Sequence, residues 1–231
     1  MKIRYLNIKL NKIAAVFTVL LTAAFCGRVS FAQSTQDIKY TTLPGSKMWI
    51  EGTSTLDDFK CTTADVNGYA EIQQPEIAID SAASDSVKER DVVYVSILVH
   101  SLDCGKKLMN EDMYNAMKSD KFPSIKYELL SAHIKTSPDS ITGWFDLMTK
   151  GNLYIAGEHK TVDILMKVKE LPDGRFRLLG SKPLSMLDFG ITPPSHFFGL
   201  IKAHKDLTVH FDLLAARVSM HSVEAGNILG R

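Results

Sequence analysis

The chain has 231 residues, 27 Lys and Arg against 26 Asp and Glu, and 45% apolar residues. That length is ample for one domain with a core of its own. Its charges are nearly balanced and form no basic block, which excludes nucleic acid or an anionic membrane surface as the main partner.

Residues 1–32 read as a secretory signal. A basic start (Lys2, Arg4, Lys9, Lys12) precedes an apolar run over residues 13–26, and Ser30-Phe31-Ala32 offers small residues where a signal peptidase reads. The run is too short to span a membrane, which takes about 20 residues. Phe25, just before Cys26, is too bulky for lipoprotein processing. Cleavage after Ala32 removes five basic residues and no acidic ones, leaving 22 against 26 and a net charge of −4. The expected destination is the periplasm or the exterior. Two cysteines remain, Cys61 and Cys104, and in an oxidising compartment such a pair reads as a disulfide.

Residues 33–45 read as a polar lead. "KMWIEGTST" is then a first strand, and "KCTTADVNGYAEIQ" a second with a turn signal at Asn67-Gly68. Residues 74–90 are polar and rich in Ser and Ala, hence a connecting loop. "VVYVSILVHSL" is the clearest buried strand, with Val93, Val95, Ile97 and Val99 on one face.

A helix is expected over residues 108–118. Met109, Met113 and Met117 recur every fourth residue with Ala116 alongside, while Asn110, Glu111, Asp112, Asn115 and Lys118 take the other faces. Acids in the first turn and Lys118 and Lys121 at the end suit the helix dipole. Pro123 bars helical geometry at Phe122 and sets the stop. Methionine fills such a stripe either as ordinary core or because its flexible thioether repacks around guests of varied shape.

Alternation then resumes in "SIKYELLSAHI", "TGWFDLMTKGNLYIAG" and "KTVDILMKVKEL". "AGEHK" supplies a tight turn between the last two, and Asp173-Gly174 a hairpin leading to "RFRLLGSKPLSML". "DFGITPPSHFFGLI" reads as a loop that folds aromatic side chains over one end. The last strand, "KDLTVHFDLL", sends Leu207, Val209, Phe211 and Leu213 inward and Thr208, His210 and Asp212 outward. Residues 214–231 read as a tail. These elements make an all-β fold of about eight strands with one helix. Antiparallel strands with one apolar face close into a barrel or stack as a sandwich, and the pattern alone fits both.

Catalytic signatures do not assemble. The chain has no GxSxG, HExxH or Walker-type motif, and so no cofactor or metal is expected. Asp57 and Asp58 are adjacent, and adjacent strand residues point to opposite faces, so they form no acid–base couple. His204 and His210 are six residues apart and would need a third ligand, such as His159, to hold a metal.

Four segments in register carry a resemblance: "WIEGTSTLDDFKC", "SLDCGKKLMNEDMYNAMKSDKFPSIKYEL", "GNLYIAGEHKTVDILMKV" and "SMLDFGITPP". Together they resemble the YceI-like family of exported bacterial proteins over residues 46–213. The resemblance implies an eight-stranded antiparallel, lipocalin-like barrel with one short helix near its mouth. It also implies a polyisoprenoid or similar long-chain amphiphile bound in the lumen; with no catalytic motif in the chain, a binding protein and not an enzyme is expected. The opening strand and the cysteine pair depart from the general family pattern.

On that reading the apolar wall draws on Val93, Val95, Ile97, Phe122 and Phe145, and further on Ile164, Met166, Val209 and Phe211. The lid draws on Met109, Met113, Met117 and Phe189. A fully packed barrel that works through its surface, and an enzyme acting on a lipid or quinone, are the competing readings. A homodimer sharing a barrel mouth is compatible with the pattern.

Overall fold

Residues of alternating polarity pair edge to edge until the sheet meets itself. The computed structural model describes residues 37–73, 91–196 and 200–218. The expected signal, the loop at 74–90, Phe197, Phe198 and the end of the chain beyond residue 218 lie outside the described residues. Among the described residues eleven strands form: β1 (Asp37–Thr42), β2 (Lys47–Ser54), β3 (Asp58–Thr63), β4 (Val66–Gln73), β5 (Val92–Leu98), β6 (Ser124–Ile134), β7 (Trp144–Ile155), β8 (Glu158–Glu170), β9 (Phe176–Ser185), β10 (Ser195–His196) and β11 (Ile201–Arg217). An α-helix, α1 (Lys107–Ala116), lies between β5 and β6.

The hydrogen-bonded order runs β1-β4-β5-β6-β7-β8-β9-β11, and β11 pairs back to β1. β1 and β2 act as one bent strand, because β11 pairs with β2 (Phe211 opposite Met48) and then with β1 (Tyr40 opposite Arg217). β3 and β4 form the matching bent strand, paired to β2 and β1 in turn. The result is a closed antiparallel barrel of eight strands, which settles the choice between barrel and sandwich.

The bend between β1 and β2 is held by one side chain. Ser46, 2% exposed, accepts a hydrogen bond from Leu214 N at 3.0 Å and donates to Leu214 O at 3.2 Å, so its hydroxyl replaces the missing ladder contact. On the outer face Arg177 grips Asp212 through two hydrogen bonds of 2.9 and 2.7 Å, tying β9 to β11.

Several local expectations change. β1 occupies part of the stretch read as a polar lead, and β11 runs on to Arg217 inside the expected tail. Asn67 and Gly68 lie within β4 and make no turn; the break falls at Ala64-Asp65, and Gly68 N donates to Thr42 Oγ1 at 2.9 Å across the sheet. α1 begins at Lys107, so Glu111 and Asp112 fall in its second turn and its first turn holds no acid.

α1 also ends before Pro123 can act. Lys118 takes a left-handed conformation (φ 53°). Ser119 N then donates to Tyr114 O and Lys118 N to Asn115 O, each at 3.0 Å, the Schellman pattern of helix ends. The turn between β7 and β8 has positive φ at both Ala156 (53°) and Gly157 (89°), as a two-residue hairpin of this twist requires.

Candidate functional site

Inward rows of the strands surround a cavity of about 890 Å³ that runs through the barrel. Its walls are built by register. Val93, Val95 and Ile97 of β5 face it beside Ile125 and Tyr127 of β6, which they pair with or adjoin. Ile164 and Met166 of β8 face it opposite Thr149 and Leu147 of β7, and Val209 and Phe211 face it from β11. Gly180 of β9 makes room for the Phe211 ring, whose Cζ would lie 2.2 Å from a Cβ at that position.

The buried polar groups of the wall bond one another. Tyr127 donates through its hydroxyl to Thr149 Oγ1 (3.1 Å), and Thr149 donates to Ile164 O (3.2 Å). Burial pushes the Tyr127 phenol up, only partly opposed by the Thr149 hydrogen bond. Among the described residues no buried side-chain N or O lacks a hydrogen-bond partner. The middle of the lumen therefore offers a guest apolar surface and little else.

At one end lie the β2–β3 turn, α1, the β7–β8 turn and the segment between β9 and β11. Met109 and Met113 of α1 line the cavity there with Met117, which caps the helix, and so does Phe189, 2% exposed, from the 3₁₀ turn Met186–Phe189. Gly190 follows in a left-handed conformation (φ 60°), turning the chain so that Ile191 is buried as well.

The helix is strapped down. Cys61 of β3 is joined to Cys104 by a disulfide (S–S 1.96 Å). The neighbouring residues Thr62 and Asp103 exchange backbone hydrogen bonds of 2.8 and 2.9 Å. Asn110 of α1 accepts from Cys104 N at 2.7 Å, and Tyr114 donates to Leu102 O at 3.0 Å. Cys104 Sγ lies 3.8 Å from Met113 Sδ, so the bridge touches the methionine stripe directly. Ser119, just past the helix, meets His100 Nε2 at 3.0 Å.

Two of the residues assigned to the wall are not among those that line the cavity. The Phe122 ring packs over Gly157 of the β7–β8 turn, with Cζ 2.4 Å from where a Cβ would stand, and Phe122 is not among the cavity-lining residues. Phe145 shares the inward register, opposite Val168, yet it too is not among the lining residues, although Val168 is. The other eleven residues named from the sequence all line the cavity.

Sequence reading missed Leu102 and Leu147, which also line it, and the charged residues at its margins, among them Asp57, Asp58, Lys106 and Lys182. Lys182 was findable: it continues the alternate row Phe176, Leu178, Gly180 along β9.

The histidines stay apart. His204 Nδ1 contacts Thr53 Oγ1 at 2.6 Å, His210 stacks on Trp49 with Nε2 3.2 Å from Glu51, and His159 stacks on Tyr154. Among the described residues no group of three or more His, Cys, Asp or Glu is placed to hold a metal ion.

A family model described as the YceI-like domain matches residues 31–215. The chain belongs to the YceI-like family. Its barrel resembles that of a polyisoprenoid binding domain from Saccharophagus degradans implicated in plant cell wall breakdown. The two are 9% identical with a TM-score of 0.56, and the match covers 79% of this chain and all of that one. BcnA from Burkholderia cenocepacia is also similar, at 14% identity and a TM-score of 0.53 over 74% of this chain and 96% of that one. At such identities the likeness concerns the fold. No curated protein matches the chain.

Proposed function

We propose that this YceI-like barrel is an exported binding protein that carries or sequesters one long-chain amphiphile, of polyisoprenoid or similar type, and performs no catalysis. The observation that carries the reading is the cavity itself. About 890 Å³ of apolar-walled space lies at the upper end of what small-molecule sites use. A packed barrel of eight strands fills its interior with side chains instead.

The driving force is removal of the tail from water, about 0.8 kcal/mol per methylene. Part of that gain offsets the cost of immobilising the ligand. The likeness to a polyisoprenoid binding domain supports the ligand class. Export is supported by the signal-like start of the sequence and by the Cys61–Cys104 disulfide, a bond that persists in oxidising compartments.

The test is extraction of the purified protein with organic solvent and mass spectrometry of the extract, followed by thermal shifts of the stripped protein with prenols, quinones and fatty amides. A stoichiometric long-chain lipid and a shift with at least one class are expected. Absence of both would return the barrel to a role played through its surface.

A further inference from the structure

The barrel wall is not stitched at every point. β8 and β9 pair from Glu170 opposite Phe176 as far as Met166 opposite Gly180. Beyond that point β8 continues back to Glu158 paired only with β7, and β9 runs on to Ser185 paired only with β11. Pro183 stands in this stretch of β9 and has no N–H to give a neighbour. The 3₁₀ turn Met186–Phe189 packs against β8, β9 and β11.

A groove follows the seam, bordered by Lys160, Thr161 and Val162 of β8 and by Lys182, Pro183 and Leu184 of β9. Phe59, Lys182, Leu184 and Leu207 border both this groove and the lumen, as do Asp58 and Ser185, so the two spaces meet there.

One side chain sets the chemistry of the junction. The inward row of β9 reads Phe176, Leu178, Gly180, Lys182, Leu184, and Lys182 stands opposite the lumen-facing Val209. Its ammonium has no hydrogen bond or ion pair within the described residues. An ammonium set in an apolar row is placed to meet an anion.

The other charges around the groove narrow the choice. Lys60 is paired with Glu51 at 2.9 Å and Asp206 with Lys205 at 3.8 Å. That leaves Lys160 and Lys182 facing Asp58 and Asp188. These four charges cancel, so one negative head can pair with the Lys182 ammonium, whereas a second negative charge would confront the two carboxylates.

We propose that the β8–β9 seam is a side portal where Lys182 holds a monoanionic, carboxylate-type head while the tail lies in the lumen. This rests on the carrier reading above and adds the head group, which that reading leaves open.

The test compares palmitate with cetyl alcohol, matched in chain length and differing in head charge, on stripped protein by isothermal titration. Palmitate is expected to bind about tenfold more tightly, as one charge-assisted contact implies. K182M is expected to bring palmitate down to the level of cetyl alcohol, and K182R to keep the preference. Equal affinities in the unmodified protein, or a preference that survives K182M, overturn the portal site while the carrier reading stands. Binding of neither probe overturns this proposal, while the carrier reading is decided by the extraction and the thermal shifts described above.

Discussion

Replacing both bridged cysteines, C61A with C104A, separates the stapling of the chain from the strapping of the helix. The cysteines are 43 residues apart and close a loop of about 44 residues. On the chain-entropy model that constraint contributes about 4 kcal/mol, through the unfolded state it restricts. For a barrel of this size each kcal/mol moves Tm by about 2–4 °C, so a fall of roughly 8–16 °C is expected. Alanine is the right replacement, because Cys61 is 2% exposed and a serine hydroxyl there would be buried without a partner. In the folded state the Thr62–Asp103 hydrogen bonds and the Asn110 contact still hold the helix. Calorimetry and urea unfolding therefore report a large loss, while affinity of the stripped protein for its lipid changes little. A drop of only a degree or two would refute the stapling argument; a loss of affinity as large as the loss of stability would show that the bridge, not the hydrogen bonds, seats the lid.

Met113→Asp is expected to speed release of a fluorescent lipid by about tenfold or more, since it removes an apolar contact from the lumen and sets a carboxylate beside the disulfide. Lys118→Asp, on the exposed turn after the helix, is expected to leave release unchanged, and equal effects of the two would count against the lid. The Arg177 hydrogen bonds hold the Asp212 carboxyl below the usual carboxylate range, against the opposing effect of burial. A depressed folded-state pKa gives stability that is present above the unfolded value near 4 and is lost as pH falls through the folded one. Asp212→Asn should thus cost about 1 kcal/mol at neutral pH, discounted because Arg177 is half exposed, and flatten the acid limb of the stability curve; an unaltered acid limb would argue against the pair. Leu147→Ala should cost less than Phe189→Ala, which removes a larger ring that is 2% exposed although it borders the cavity and should cost about 3–5 kcal/mol in urea unfolding; the reverse order would mean that the wall at Leu147 behaves as solid core.

Period-two alternation made the wall legible. Val93, Val95 and Ile97, and Val209 with Phe211, declare one face in the sequence and keep it in the fold, because a one-residue slip would expose every one of them. β1 was illegible because its run, Asp-Ile-Lys-Tyr-Thr-Thr, is short and polar, and its place comes from pairing with β4 and β11. Asn67-Gly68 carries a strong local turn signal that the ladder to β5 overrides. The helix stop was assigned to Pro123, whereas a left-handed lysine does the work, which no propensity marks. Phe145 shows the limit of parity, which tells which face a side chain takes and not how far the cavity reaches along it; Phe122 lies before β6, where parity says nothing.

What the barrel rests on follows from where its hydrogen bonds and its space lie. The wall closes on itself through β11, with Ser46 filling the gap at the bend and Arg177 joined to Asp212 outside. Those contacts do not pass through the lumen. A protein whose order resides in its wall can accept tails of different shape with little effect on folding, and the methionines of α1 suit that tolerance because thioethers repack cheaply. The same logic locates selectivity elsewhere. On the carrier reading, a lumen whose buried polar groups already bond one another cannot discriminate among chains of similar volume, so discrimination falls to the junction with the groove, bordered by Lys182, Asp58 and the unstitched edges of β8 and β9. On the carrier and portal proposals, tail volume sets how tightly a guest is held, and head charge sets which guest it is.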